Sequence, residues 1–171
     1  MAIYTREREK IAREVAEEIW RRFSYQIEEI SLYGSVARGE DRKNSDIDLL
    51  VLYSNVLNTL PVMFFGSPAE LSYFIRELEE KYRKKGYKIE INLRNRDKFY
   101  EKIENIKKRL KNGENLDYLQ RFALNVMREK KVLYAPEVVN YPTQETSANL
   151  DPTAQENEDL EKMIRNSFRT F

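Results

Sequence analysis

The sequence contains no cysteine and no histidine. The first absence removes disulfides, thiolate metal sites and cysteine nucleophiles. The second removes the commonest general base, the usual zinc ligands, and every Ser-His or Cys-His arrangement. Also missing is any apolar run near the ~20 residues that a helix needs to span a bilayer. The longest candidates, Ile47 to Tyr53 and Leu60 to Phe65, are strand-sized or loop-sized. The opening Met1-Ala2-Ile3-Tyr4-Thr5-Arg6-Glu7 is charged and lacks the apolar stretch of a secretory leader. These absences describe a soluble, cytoplasmic protein with no membrane partner. Its chemistry must run on carboxylates, Lys, Arg, Ser, Thr, Tyr and bound metal, and oxygen ligands favour Mg2+ or Mn2+ over zinc.

What is present suits one domain with a tail. The 171 residues, 41% of them apolar, are enough to bury a core. Net charge is +1 but unevenly spread. From Arg76 to Lys111 there are 14 Lys or Arg against 7 Asp or Glu, a local +7, whereas Asn140 to Phe171 has 3 against 6, a local −3. The basic stretch reads either as a solvated helix face laced with opposite charges or as a surface for phosphates.

Periodicity places the elements. Thr5 to Phe23 is an amphipathic helix with Ile11, Val15, Ile19 and Phe23 on one face. Glu28 to Tyr33 is a strand ending at Gly34-Ser35, Val36 to Gly39 a helical turn, and Glu40 to Ser45 a polar loop. Asp46 to Tyr53 is a strand with Ile47, Leu49 and Val51 on one face and Asp46, Asp48 and Leu50 on the other. Ser67-Pro68-Ala69-Glu70 starts a helix, with Ser as cap, Pro at the first position and Glu closing a capping box. That helix runs to about Lys85. Tyr87 to Leu93 is a strand, Asp97 to Asn112 and Leu116 to Arg128 are helices, and Val132 to Tyr134 is a last strand. The domain is expected over 1–136, with 137–171 a Thr-, Ser-, Asn- and Pro-bearing linker followed by a tail helix through Phe168. The fold class is α+β, one mixed sheet flanked by helices. The strands from Glu28 and Asp46 pair antiparallel, because a dozen linking residues are too few for a parallel crossover.

The chemistry-bearing residues cluster around the second strand. Asp46 and Asp48, at i and i+2, project to one face while Ile47 and Leu49 bury themselves on the other. Two adjacent carboxylates repel unless a cation sits between them, so such a pair on a core strand asks for a metal. Gly34-Ser35 follows a strand and opens a helical turn, which exposes backbone N–H groups and a hydroxyl suited to phosphate oxygens.

The segment Leu32-Tyr33-Gly34-Ser35-Val36-Ala37-Arg38-Gly39-Glu40, followed by Asn44-Ser45-Asp46-Ile47-Asp48-Leu49-Leu50-Val51, resembles the signature of the minimal nucleotidyltransferases. These belong to the DNA polymerase β superfamily, with kanamycin nucleotidyltransferase and CCA-adding enzymes as distant relatives. The similarity covers roughly residues 10 to 135. It implies the polymerase-β-like fold, with a mixed, mostly antiparallel sheet. It also implies transfer of a nucleoside monophosphate from a triphosphate, ATP favoured, to an acceptor hydroxyl.

On the same resemblance, Gly34 and Ser35 hold the β and γ phosphates, and Asp46 and Asp48 bind two Mg2+ ions, with Mn2+ an alternative. A third acid stands on a neighbouring strand, where Glu90 of Lys88-Ile89-Glu90-Ile91-Asn92-Leu93 matches; the family more often has Asp there. Asp46, Asp48 and Glu90 are thus the catalytic and metal candidates. The alternative reading makes Glu90 an exposed edge-strand residue that pairs with Lys88 or Arg94. Asp97 is a weaker substitute. Gly34, Ser35, Arg38 and Ser45 are the nucleotide-binding candidates, although Arg38 could instead pair with Glu40 or Asp41, and Ser45 could serve as the cap of the turn. Tyr53 or Tyr87 could stack on a base.

Free-standing members of the family are often antitoxins paired with HEPN-type (higher eukaryote and prokaryote nucleotide-binding) ribonuclease toxins, some of which they modify by adding AMP to a tyrosine, so a toxin partner is expected. The alternatives are a catalytically weak or inactive relative that acts by binding its partner, and transfer to RNA ends. No recognisable RNA-binding domain follows in so short a chain, which places nucleic acid behind protein as acceptor.

Overall fold

The computed structural model describes residues 3–54 and 68–136. Leu60 to Phe65, the Ser67 cap and the linker and tail expected after 136 lie outside the described residues. The elements in chain order are α1 (Ile3–Phe23), β1 (Ile27–Tyr33), α2 (Gly34–Arg38), β2 (Ile47–Tyr53), α3 (Pro68–Lys84), β3 (Ile89–Asn95), α4 (Arg96–Lys111), α5 (Tyr118–Glu129) and β4 (Lys131–Tyr134).

The four strands form one sheet in the order β3-β2-β1-β4. β1 pairs antiparallel with both β2 and β4, while β2 and β3 run parallel across the α3 connection. The sheet is therefore mixed and mostly antiparallel, as expected. Strand alternation sends Ile30, Leu32, Ile47, Leu49, Val51, Ile89 and Ile91 to one face, where they pack with Ala12, Val15, Ala16, Ile19 and Phe23 of α1 and with Leu71, Ile75, Leu78 and Tyr82 of α3. These α1 positions recur at helical spacing, so one stripe is buried while the Arg and Glu side faces water. Fully burying each such side chain contributes ~1.5–3 kcal/mol.

The other face is covered only in part. Tyr33, Leu50, Leu52 and Val126 form one small apolar cluster there, and α4 and α5 pack on each other through Ile103, Ile106, Leu110 and Leu124, with Leu116 of the loop between them in the same cluster. The capping chemistry that fixes these two helices is local. The Asn95 side chain accepts from Lys98 N at the start of α4. At α5, Asp117 and Gln120 close a reciprocal capping box, which begins the helix two residues later than its apolar pattern suggests. β3 starts at Ile89 rather than Tyr87 because Tyr87 N still bonds Tyr82 O, in the turn that leaves α3 through Gly86.

Candidate active site

The register of the sheet decides which side chains meet. Tyr33 lies opposite Asp48, and Asp48 lies opposite Glu90. One row across β1, β2 and β3 therefore reads Tyr33–Asp48–Glu90, on the face away from the main core. Two residues further along β2 and β3, Leu50 lies opposite Asn92 on the same face. The Asn92 amide donates to the Tyr33 hydroxyl at 2.8 Å and to Glu90 Oε1 at 3.1 Å, so it links the two outer members of the acid row.

Asp46 stands just before β2. Its carboxylate pairs with Lys88, which precedes β3. That ion pair follows from the parallel register, since Ile47 lies opposite Ile89 and the preceding residues are brought side by side. It raises the Lys88 pKa through the hydrogen bond to Asp46. Glu90 is exposed and pairs with neither Lys88 nor Arg94.

Asp48 is strongly perturbed by its surroundings. Burial first, then the negative charges of Glu90 and Asp46, push its carboxyl up to about 6, against the opposing pull of Lys88 and Arg38. Tyr33 is pushed up to about 12 by burial and by the same acids, Asp48 and Glu90. The row is a concentration of negative charge on a half-covered surface.

Gly34 is the second structural requirement. Its φ is +74°, in the left-handed region, and a Cβ built on it would lie 2.3 Å from Asp48 Oδ2. Only a residue without a side chain allows the β1–α2 turn to pass so close to this carboxylate. The turn thereby holds Ser35 next to the acid row, and the Ser35 hydroxyl has no protein partner among the described residues. Gly39, at φ +73°, closes α2 by returning its N–H to the carbonyls of Ser35 and Val36.

Arg38 bonds Glu40 Oε2 at 2.7 Å and Glu129 Oε2 at 2.8 Å, which ties α2 to the end of α5. Its pKa is raised by the Glu40 hydrogen bond, against burial, and by Glu129. Asp41 is not its partner. Asp41 is buried, with Arg8 NH1 at 2.7 Å on one oxygen and Thr5 Oγ1 on the other, while the second Arg8 nitrogen donates to Lys43 O. This clamp fastens the 40–45 loop to α1 and so fixes the entry of β2. Sequence reasoning left Thr5 and Arg8 unassigned; the one available signal was an Asp next to the Arg-Gly-Glu turn, which gives no hint of a partner 33 residues away. Ser45 caps the same loop, accepting from Arg42 N at 2.8 Å. The Tyr87 hydroxyl is engaged by Glu7 on α1, whereas Tyr53 lines a cleft on the acid face. Asp97 lies in the first turn of α4 beside Arg96.

A nucleotidyltransferase-domain model matches residues 12–116. The chain belongs to the nucleotidyltransferase-domain family. The match runs from α1 to the end of the α4–α5 loop, so it contains the acid row, Gly34 and Asp46. No curated protein sequence matches the chain. Among solved structures, a toxin-antitoxin with AMP-PNP is 16% identical over 91% of this chain and 83% of that one, with a TM-score of 0.38. A Sulfolobus solfataricus protein named as a candidate nucleotidyltransferase is 20% identical over 81% and 93%, at 0.39. The mutant toxin-antitoxin MntA-HpeT is 13% identical over 91% and 83%, at 0.37. Likenesses this low carry no argument, and the family rests on the sequence match.

In this nucleotidyltransferase-domain protein the donor set fits a hard divalent cation. Asp46, Asp48 and Glu90 offer only oxygens, and the raised Asp48 carboxyl is the electrostatic signature of acids crowded on a low-dielectric face. Among the described residues, however, no three acids are gathered around one point. Asp46 leans to Lys88 and Glu90 to Asn92. Like charges separate onto the nearest donors, and drawing them together requires a cation strong enough to compete with Lys88. No helix among the described residues is long and apolar enough to cross a membrane.

Proposed function

We propose that the protein is a divalent-metal-dependent nucleotidyltransferase that moves a nucleoside monophosphate from a nucleoside triphosphate, ATP favoured, onto an acceptor hydroxyl. The observation that carries this reading is the Asp48–Glu90 pair in register across parallel strands, with Asp46 at the strand entry and Gly34 packed against Asp48. Gly34 and Ser35 offer backbone N–H groups and a hydroxyl to the terminal phosphates. Asp46, Asp48 and Glu90 are the carboxylates that would hold Mg2+, with Mn2+ as substitute. The metal, when bound, neutralises the charge that develops at the α-phosphate. Glu90, on the exposed edge strand, faces the side from which an acceptor arrives and orients its hydroxyl. In the reaction the acceptor oxygen bonds to the α-phosphorus, the bond to pyrophosphate breaks, and the hydroxyl proton leaves towards Glu90. Ser45 and Arg38 act on the loop and turn that carry the phosphate-binding residues.

Two acceptor classes fit this chemistry: a hydroxyl on a partner protein, as in the HEPN-type toxins that the resemblance implies, and a hydroxyl on a nucleic-acid end. A second reading, a catalytically weak protein that acts as an antitoxin by masking its partner, is favoured by the Lys88 contact that draws Asp46 away from Asp48. Incubation with α-labelled ATP, Mg2+ and candidate acceptors separates the two. Label transferred by the wild type and lost in Asp46→Ala, Asp48→Ala supports the enzyme. Equal, background labelling by both, with wild-type partner binding intact, supports masking.

A further inference from the structure

The cleft that Tyr53 lines lies between the sheet and the helices α4 and α5, with a volume of about 770 Å3. Its apolar lining includes Leu50, Phe99, Ile103, Leu119, Phe122 and Val126, of which Leu119 is 67% exposed and Phe122 45%. Its charged lining is of one sign among the described residues: Arg94, Lys98 and Lys102, with no Asp or Glu. Lys98 and Lys102 are exposed and stand one turn apart on α4, and neither has an ion-pair partner among the described residues. Further along the same helix, Lys107 pairs with Glu104 and Arg109 with Glu114. An apolar groove rimmed by uncompensated cations fits an occupant that is both amphipathic and acidic.

The chain leaves the sheet on the side where this groove opens. Ala135 and Pro136 share a hollow with Leu52 and Tyr100. Both of these belong to the apolar cluster of Tyr33, Leu50 and Val126, and those three line the cleft. The backbone that follows β4 therefore departs on the face that holds the cleft. Residues 137–150 span up to roughly 45 Å when extended, so reach does not limit where the sequence beyond them can dock.

From Asp151 onward the sequence complements the groove in both respects. Leu160, Ile164 and Phe168 recur at helical spacing, with Met163 and Phe171 on the same side. At about 100° per residue, Glu156 joins that stripe and Asp159 and Glu161 border it, whereas Lys162, Arg165 and Arg169 fall opposite. The acids thus accompany the apolar stripe and the cations avoid it. Residues 55–67, which follow β2 next to Tyr53, carry no charge and offer nothing to Lys98 and Lys102.

We propose that residues 151–171 dock in this cleft of their own chain as an amphipathic helix, with Leu160, Ile164 and Phe168 on the apolar wall and Glu156, Asp159 and Glu161 towards Arg94, Lys98 and Lys102. The inference goes beyond the nucleotidyl-transfer reading and does not depend on it. Its consequence nevertheless reaches the acids, because Asn92 lines the cleft and donates to Glu90. With the segment seated, the cleft side of Asn92 is closed to solvent.

The absence of cysteine makes this contact measurable in the full chain, because a pair of introduced cysteines has no other thiol within its chain. Leu119→Cys combined in turn with Leu160→Cys, Ile164→Cys or Phe168→Cys reads the stripe, and Leu119→Cys with Lys162→Cys or Asn166→Cys reads the opposite side. A disulfide needs Cα atoms within about 7 Å. Tethering alone gives every pair some encounters, so the rates of closure under mild oxidation are compared. At least one stripe pair is expected to close within the chain about tenfold or more faster than either opposite-side pair. Lys98→Glu with Lys102→Glu is expected to slow that pair about tenfold, and adding Glu156→Lys with Asp159→Lys to restore it. Hydrogen exchange of the cysteine-free wild type gives a second reading. Amides of 156–168 are expected to exchange about tenfold or more slower than a free chain, and the cation reversal to abolish that slowing while α1 and β2 stay protected. Equal closure from both sides, or a stripe rate indifferent to the cation reversal, overturns the proposal. Disulfides that form only between chains overturn it by giving the cleft to a second copy. Unslowed exchange of 156–168 in the wild type also overturns it and leaves the cleft to a separate partner.

Discussion

Asp48→Asn should make the metal-free protein more stable while removing its metal response. The Asp48 carboxyl sits at about 6 against an ordinary 3.8, through burial and then the charges of Glu90 and Asp46. A rise of roughly two pK units corresponds to a ceiling of ~3 kcal/mol. Asp48 is only half-buried, and solvent screening reduces this to about 1 kcal/mol. The folded pKa lies above the unfolded one, so the charged form is disfavoured by folding. Well below 3.8 the carboxyl is protonated in both states and costs nothing; the penalty grows as pH rises from there to about 6 and is complete by about pH 7 to 8. The neutral amide escapes it. Melting curves of wild type and variant without metal should therefore differ by ~2–4 °C in favour of Asp48→Asn near pH 8, and converge near pH 4. Saturating Mg2+ should raise the wild type and leave the variant unmoved, because a cation that engages the three acids removes the same repulsion. A variant no more stable than wild type near pH 8, or equally more stable near pH 4, would refute the claim that burial and the neighbouring acids disfavour the charged form of Asp48.

Three further outcomes follow from the same geometry. Asp41→Ala leaves Arg8 buried without its carboxylate and should cost ~3–5 kcal/mol in urea unfolding, whereas Arg8→Met with Asp41→Leu should recover most of the loss; equal losses in both variants would mean that packing rather than charge holds the loop. Gly34→Ala should cost more than Gly39→Ala although both glycines have left-handed φ, because only Gly34 meets Asp48 at 2.3 Å while Gly39 has open space. Placing Gly34→Ala on an Asp48→Ala background should shrink its cost towards the ~1–2 kcal/mol of the backbone alone, a coupling that a double-mutant cycle reads directly. Tyr33→Phe removes the hydroxyl that Asn92 donates to and should cost ~1 kcal/mol of stability; with Glu90 less firmly oriented, kcat of nucleotidyl transfer should fall while KM for the triphosphate holds.

The parts legible in the sequence were those encoded by local periodicity. The α1 stripe, the alternation of β2 and the Gly34-Ser35 turn each depend on neighbours in the chain, and the apolar face of β2 assigns Asp46 and Asp48 to the other side without help from tertiary structure. The antiparallel pairing of β1 and β2 followed from a loop length. Glu90 was placed on the correct face by the same alternation, but its pairing was not legible. In the alternative reading of Glu90 as a surface residue, Lys88 or Arg94 was to pair with it, yet Lys88 turns to Asp46 because the parallel register sets those two residues side by side. Arg38 shows the same limit. Its contact with Glu40 lies two residues away and was named, whereas Glu129 comes from the far end of α5.

Long-range pairing also explains how a site with so much negative charge is held on a small sheet. Three of the segments around the site, the entry to β2, α2 and β1, are anchored away from the acids by oppositely charged partners. Asp41 with Arg8 holds the entry to β2, Arg38 with Glu129 holds α2, and Glu29 with Lys130 holds the start of β1 against the end of α5. Two of these ties end on or just beyond α5, the helix that also carries Phe122. A substitution that loosens Arg38 or Lys130 should therefore disturb the cleft and the Gly34-Ser35 turn together, since both hang on the same helix. Glu129→Gln keeps the shape of the side chain and removes only the charge, and it is the mildest way to test that coupling. The expected result is weaker binding of triphosphate and a lower melting temperature, with Asp48 still titrating as in the wild type. Unchanged triphosphate binding in Glu129→Gln would show that α5 does not hold the turn.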